Sequence, residues 1–437
     1  MNRKEKSTDD LAKLIWKTLR KRNLPVPQIG TLEAIFQVLF YTSLKTEELE
    51  PIRCSVTYLD PKNPDPKPPP RIRHQRWRHY QLGERIGLSV SSLRKFAKAM
   101  DPNSVSIAIY ADGKGRPFIW GVIDQYPMHS ARFIAHESES GPQIPGLFNA
   151  VITGIGEIAV WRLYGLIARL EQSSLITKYH DVLRFGPVAD RLKICIDQYV
   201  SLVKEHSLPE HTRSIEKEWY PFLGDYWRRT VCRLLIAIRN YKNGGALIIS
   251  PQGDPSGLKL NYVLHYERLH EALVNYSINK IGYHFSQNKI LDEYRAKKAA
   301  VPYALQSDSA RFMHENNDCR AALAGTIALV ASLSRVDGLV LLDDALNVCG
   351  FGAEILAEKD ISKVNIADGP SATTRQIRSR NSQAYGTRHR SMMRYCASHA
   401  DSLGFVLSHD GDVRAIMNVR GKVVMWENIQ LYLNFKS

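Results

Sequence analysis

Apolar positions near the start of the chain recur at helical spacing. Leu11, Leu14, Ile15 and Leu19 share one face of residues 8–22, with Asp9 and Asp10 at the positive end, which predicts an amphipathic helix. Pro25 and Pro27 end it, and a second helix is expected over residues 31–44. From Val105 the period shortens to two. Residues 105–110 alternate as a half-buried strand, Asp112-Gly113-Lys114-Gly115 turns the chain, and residues 118–123 return. Val151, Ile158 to Trp161 and Leu166 to Ala168 predict further strands around Gly154 and Gly156, together a small antiparallel sheet. Helical periodicity resumes over 188–206 and 215–240. Gly244-Gly245 then stops the second helix, and the apolar run 246–250 follows as a buried strand. Residues 262–298 read as a strand and then a helix.

The last third repeats the alternation of helix and strand. A helix over 310–335 leads into Val336-Asp337-Gly338-Leu339-Val340-Leu341-Leu342, an apolar run of strand length. Asp343-Asp344 turns the chain back through residues 348–356, where Gly350 and Gly352 flank Phe351. A short helix over 390–400, a strand over 404–408, a hairpin at Asp410-Gly411 and strands over 413–419 and 422–426 complete the pattern. The fold class expected is α/β. A mixed β-sheet flanked by helices lies at the C-terminus (301–437), preceded by an α+β domain (101–300) and an N-terminal helical region (1–100).

Composition narrows the function classes. Lys and Arg exceed Asp and Glu by enough to give a net charge of +15, which favours an anionic partner. No apolar run reaches the roughly 18 residues that span a bilayer, so no membrane partner is expected. The charged start, Met1-Asn2-Arg3-Lys4-Glu5-Lys6, lacks a following apolar core, and a cytoplasmic location is expected. Six cysteines lie far apart with no Cys-x-x-Cys pair, as reduced thiols do, and supply no zinc site.

The chemistry concentrates in residues 371–395. Arg375, Arg378, Arg380, Arg388, Arg390 and Arg394 stand there without one acidic residue. Guanidinium forks match phosphate oxygens and stay charged at physiological pH. Gly386-Thr387 adds backbone N–H groups that approach an anion closely and a hydroxyl donor. A solvated basic loop is the plainer reading of the same residues. Asp337-Gly338 stands upstream, and Ser408 closes an apolar run downstream.

Asp-Gly at one strand edge, then Gly-Thr-Arg-His-Arg, then a strand ending in serine and polar residues, resembles the diadenylate cyclase domain. The resemblance implies that Asp337 holds a catalytic metal, Mg²⁺ or Mn²⁺, if the chain is an enzyme, and that Arg388, His389 and Arg390 grip ATP phosphates. Where those cyclases follow the serine with a glutamate, this chain has His409, then Asp410 and Gly411. One carboxylate is then missing from a site that needs hard oxygen ligands, so the resemblance implies impaired catalysis. The pieces 118–121, 154–156, 185–187, 244–248, 350–354 and 408–411 extend the likeness to the DACNV group of nucleotide sensors related to these cyclases.

That resemblance implies a cytoplasmic sensor of an adenine nucleotide or a cyclic di- or oligonucleotide such as cyclic di-AMP, in bacterial signalling or anti-phage defence. No cofactor is needed for sensing. Output would pass through a homo-oligomer or a separate effector protein. The candidate binding set is Asp337, Gly338, Leu339, Phe351, Gly352, Gly386, Thr387, Arg388, His389, Arg390 and Ser408, with an apolar slot near Leu339 and Phe351 for the base. An active nucleotidyl cyclase is one alternative. A nucleic-acid-binding regulator is another. It would use the proline-rich connector 60–71, the Arg71, Arg73, Arg76, Trp77, Arg78 and Tyr80 series after it, and a helix-turn-helix-like stretch at 86–96 with Ser91 as cap.

Overall fold

A computed structural model describes residues 5–47, 49–64, 77–124, 136, 145–163, 165–241, 243–297, 302–356, 361–408 and 412–432. The chain divides into two compact units, residues 1–179 with 432–437, and residues 180–431. Both are mixed α/β, built on open sheets of eight and ten strands.

In the first unit, helices α1 (Thr8–Lys21) and α2 (Ile29–Ser43) form where the apolar spacing predicts them. Leu11, Ile15, Leu19, Leu32, Ile35 and Phe36 are fully buried in one cluster with sheet residues Val56, Ile107, Ile109 and Phe148. The sheet strands are β1 (Cys54–Tyr58), β2 (Arg78–Gly87), β3 (Val105–Ala111), β4 (Pro117–Asp124), β5 (Phe148–Gly154), β6 (Glu157–Arg162), β7 (Gly165–Glu171) and β8 (Ser174–Ile176). They lie in the order β8-β7-β6-β5-β1-β3-β4-β2. β1 and β3 run parallel, so the sheet is larger than the small antiparallel one expected, and mixed.

The helix-turn-helix-like stretch resolves differently. Residues 86 and 87 end the edge strand β2, and helix α3 (Val90–Ala99) follows directly. Ser89, not Ser91, caps it, its hydroxyl accepting from the Ser92 N–H at 3.1 Å. A strand thus stands where a supporting helix is needed. Most of the proline-rich connector, with Arg71, Arg73 and Arg76, lies outside the described residues.

The second unit contains α4 (Pro187–Glu205), α5 (Tyr220–Asn240), β9 (Gly245–Ile249), β10 (Leu258–Lys259), β11 (Tyr262–Tyr266), α6 (Arg268–Lys297) and α7 (Tyr303–Leu333). Then come β12 (Leu339–Leu342), β13 (Val348–Ile355), β14 (Lys363–Ala367), β15 (Ile377–Asn381), α8 (Thr387–Ser398), β16 (Leu403–Leu407), β17 (Val413–Val419) and β18 (Lys422–Trp426). The strand order is β10-β13-β12-β9-β16-β17-β18-β14-β15, with β11 also paired to β13.

Segment 101–300 therefore contributes to both units, its strands through residue 176 to the first sheet and β9 to the centre of the second. β9 is apolar at every position because both of its edges and both of its faces are covered. β14 is short, its alternation limited to Lys363-Val364-Asn365-Ile366, and β15 is polar after Ile377. They form by pairing with each other and, through β14, with β18.

Candidate functional site

Three distant segments meet because of strand direction. β9 runs parallel to β12, with Leu247 opposite Val340, and antiparallel to β16, with Ala246 opposite Val406. The start of β12, the start of β9 and the end of β16 therefore share one edge of the sheet. Asp337-Gly338 leads into β12 at that edge, and Ser408 follows β16 there. The N-terminus of α8 completes the surround of a cavity of about 810 Å³.

Gly338 makes the corner possible. Its φ is +117°, and a Cβ there would lie 2.5 Å from the Gly352 carbonyl carbon and 2.8 Å from the Ala353 nitrogen. Only glycine lets β13 pass so close. The Asp337 carboxylate accepts from the Gly338 N–H at 3.0 Å and is exposed to the cavity side.

Helix α8 begins at Thr387, three residues earlier than the sequence expectation, with Gly386 as its N-cap residue. Its first backbone bond to the cap runs from the Arg390 N–H to the Gly386 carbonyl at 3.1 Å. The N–H groups of Thr387, Arg388 and His389 therefore have no helical acceptor and carry the positive end of the helix dipole. Gly386 leaves open space, since nothing lies within 4 Å of where its Cβ would stand. The Arg388 guanidinium makes no hydrogen bond or ion pair among the described residues. Ser408 is starker: its hydroxyl oxygen is buried without a partner. A buried orphan hydroxyl is uncommon and asks for a ligand or water.

His389 is buried and lines the same cavity. Arg414, on β17, donates from Nη1 to His389 Nε2 at 2.8 Å. A guanidinium can only donate, so Nε2 must accept and the neutral ring carries its hydrogen on Nδ1. Burial first, then the charges of Arg414 and Arg388, pull the ring's pKa down to about 4. Arg414 is itself held by Asp412 at 3.1 Å and Glu427 at 3.9 Å, and its guanidinium lies 5.7 Å from the centre of the Tyr385 ring. Tyr385 also stands 6.0 Å from His389, ring centre to ring centre.

Because the folded ring protonates near pH 4 and the free ring near 6.5, the unfolded chain binds that proton more readily between those values. Stability therefore falls as pH drops through that window. Replacing Arg414 with methionine removes one of the cations that depress the ring, so His389 should titrate at higher pH than in the wild type. Nitrogen-15 NMR of the ring tests this. A wild-type ring protonated on Nε2, or one already charged at pH 6, contradicts the assignment.

The structure brings together Asp337, Gly338, Leu339, Gly386, Thr387, Arg388, His389 and Ser408 around this cavity. Phe351, Gly352 and Arg390 do not line it. Phe351 stacks on Tyr262 at 4.9 Å and 17°, so the base slot expected beside it is filled by protein. Arg390 turns to Gln383, donating from Nη1 at 2.8 Å. His409, Asp410 and Gly411 lie outside the described residues.

Sequence reading missed Glu354, Asn261 and Ala246 on the cavity wall and Arg414 behind it. A lone arginine among the apolar residues of β17 was the one available signal. Glu354 is held by the Asn261 amide at 3.2 Å and by Lys259 at 3.6 Å, and these contacts lower its pKa. Asp337 and Glu354 are thus the only carboxylates on the wall among the described residues, each already accepting a protein hydrogen bond. No group of three metal-ligating side chains occurs among the described residues. Among the described residues the wall therefore offers a Mg²⁺ or Mn²⁺ two carboxylates and no third protein ligand.

Comparison with known families adds one finding. Residues 21–124 match the family model described as "Probable sensor domain DACNV". The match agrees with the DACNV resemblance over that segment of the first unit, and the family's description is consistent with a sensor. Of the pieces that carried that resemblance, only 118–121 falls inside it. No curated protein and no solved structure matches the chain. No helix among the described residues is long and apolar enough to cross a membrane.

Proposed function

We propose that residues 180–431 are a sensing module that binds an adenine nucleotide or a cyclic di- or oligonucleotide in the 810 Å³ cavity, without turning it over. The observation that carries this reading is the convergence of unsatisfied donors on one cavity. These are the free N–H groups of the α8 N-terminus, the unpaired Arg388 and the orphan Ser408 hydroxyl. Phosphate is the group that such a set suits, because it accepts many hydrogen bonds and takes its charge to the positive end of the helix.

The rest of the lining has a different chemistry. Asp337 and Glu354 repel phosphate but accept hydrogen bonds, so they favour ribose hydroxyls or an exocyclic amine of the base. Neutral His389 adds a donor without a charge. The apolar floor of Ala246, Leu339, Met392 and Leu407 takes the face of the base. This polarity orients a nucleotide with its phosphates toward α8. The link to the diadenylate cyclases rests on the likeness of the motifs; Asp337 and Glu354 are both exposed but each already accepts a protein hydrogen bond, which supports a binding role over a catalytic one. Output is assigned to self-assembly or to a separate effector.

Calorimetric titration of the full chain with cyclic di-AMP, ATP and cyclic oligoadenylates tests the proposal. Binding of at least one ligand is expected, with Arg388→Ala weakening it by about 10- to 100-fold, the worth of one charge-assisted contact. Absence of binding by all three classes, or affinity untouched by Arg388→Ala, overturns it.

A further inference from the structure

The segment that matches the sensor-domain model has a cavity of its own. It measures about 490 Å³ and lies wholly within the first unit. Leu24 and Val26 form one side, in the link between α1 and α2, and Tyr58 and Tyr110 form the other. The two tyrosine rings pack at 5.1 Å, and Tyr58 stacks on Phe148 behind it at 5.5 Å and 15°. This aromatic stack fixes a flat, apolar wall.

Two charged groups face the same space, and they differ in one respect. Asp60 is satisfied: its carboxylate accepts from the Lys62 N–H at 2.9 Å and from the Tyr110 hydroxyl at 3.4 Å. Arg162 is not. Its guanidinium is half-buried and donates once, to the Leu147 carbonyl at 2.8 Å, and it has no ion pair among the described residues. Its remaining N–H groups have no protein acceptor there. Burial first, and then the charge of Arg22, lower its pKa. A half-buried cation beside another cation, with the carboxylate of the same cavity already bonded elsewhere, leaves a place for one further negative charge.

We infer that this cavity is a second binding site, for a small amphipathic anion. Its aromatic or otherwise apolar body would lie against Tyr58 and Tyr110, and its carboxylate, sulfonate or phosphate would meet Arg162. Most of the lining falls within residues 21–124, so the site belongs to the matched sensor segment, whereas the Arg388 cavity lies in the other unit. The chain would then sense two ligands at separate places. This inference stands whether or not the second unit binds a nucleotide.

The test uses the full chain and two fluorescent dyes of similar size, anionic 8-anilinonaphthalene-1-sulfonate and uncharged N-phenyl-1-naphthylamine. The sulfonate should bind about tenfold or more tightly than the neutral dye, as one charge-assisted contact predicts. Arg162→Met should erase that preference while sparing the neutral dye. Val26→Trp, which fills the cavity and keeps the arginine, should weaken both dyes. Arg388→Ala should leave the preference intact. Equal affinity for the two dyes, a preference that survives Arg162→Met, full binding to Val26→Trp, or a preference lost in Arg388→Ala each overturns the inference. Should Arg162→Met fail to fold by circular dichroism, the Val26→Trp and Arg388→Ala results decide alone.

Discussion

Gly338→Ala is expected to destabilise the unit of residues 180–431 by roughly 2–5 kcal/mol, summing backbone strain and overpacking. It should also close the corner on which the cavity depends. Both terms come from the same geometry. The residue sits at φ +117°, a region that L side chains rarely adopt, and the new methyl would meet backbone of Gly352 and Ala353 rather than a movable side chain. Backbone cannot step aside without unpairing β12 from β13, where Leu339 faces Ala353. Gly386→Ala is the matched control: it adds the same methyl at the other corner of the cavity, where nothing lies within 4 Å, and φ is an ordinary −65°. Its effect should be about 1 kcal/mol or less, the scale of an N-cap change. Hydrogen exchange resolved by peptide separates the two. Gly338→Ala should speed exchange in β12 and β9, and Gly386→Ala should not. Equal protection in both variants would mean that the close approach at Gly338 is not a constraint.

These two glycines also mark how far the sequence could be read. Asp337-Gly338 and the run from Gly386 to Arg390 were legible as a pair because turn residues beside apolar runs are local signals. The helix and strand periods near them placed most elements within a few residues. What periodicity could not supply was direction. Whether β12 runs parallel or antiparallel to β9 decides which ends meet, and that depends on pairings across about ninety residues of chain. Phe351 is a second case where a distant contact decides. Its flanking glycines suggest an open slot, but Tyr262, from a strand nearly ninety positions earlier, occupies the space.

Arg414 belongs to no motif, and Glu354 ends the piece 350–354 with nothing local to mark it as a wall residue; each acts through a neighbour that only the fold supplies. Strand β14 is too short for its four alternating residues to stand out, and β15 is polar at four of five positions. Pairing along an existing sheet edge, not intrinsic preference, makes them strands.

Arg191→Met should be the most damaging single change outside the cavity, costing roughly 3–5 kcal/mol, because it strands a carboxylate in the interior. Arg191 rises from α4 with its side chain 6% exposed and pairs with Asp344, 12% exposed. The same guanidinium donates to the Asp401 carbonyl and to the Cys195 sulfur, and the other oxygen of Asp344 accepts from the Gln252 N–H at 3.2 Å. Asp344 follows β12 and Asp401 precedes β16, so this one side chain ties together the ends of the two strands whose opposite ends carry Asp337 and Ser408. The tie lies about a strand length away, roughly 17 Å, and touches no cavity residue. Its loss should therefore act on stability first and on ligand affinity only through it.

A double replacement distinguishes stranded charge from lost packing. Arg191→Met with Asp344→Leu removes both charges while keeping apolar volume, and should recover much of the stability lost by Arg191→Met alone. Exchange in β12 and β16 is the measurement, since it reports this unit apart from the first. If the double variant is as unstable as the sum of its parts, the pair is not coupled, and the arginine's bonds to Asp401 and Cys195 carry its effect instead.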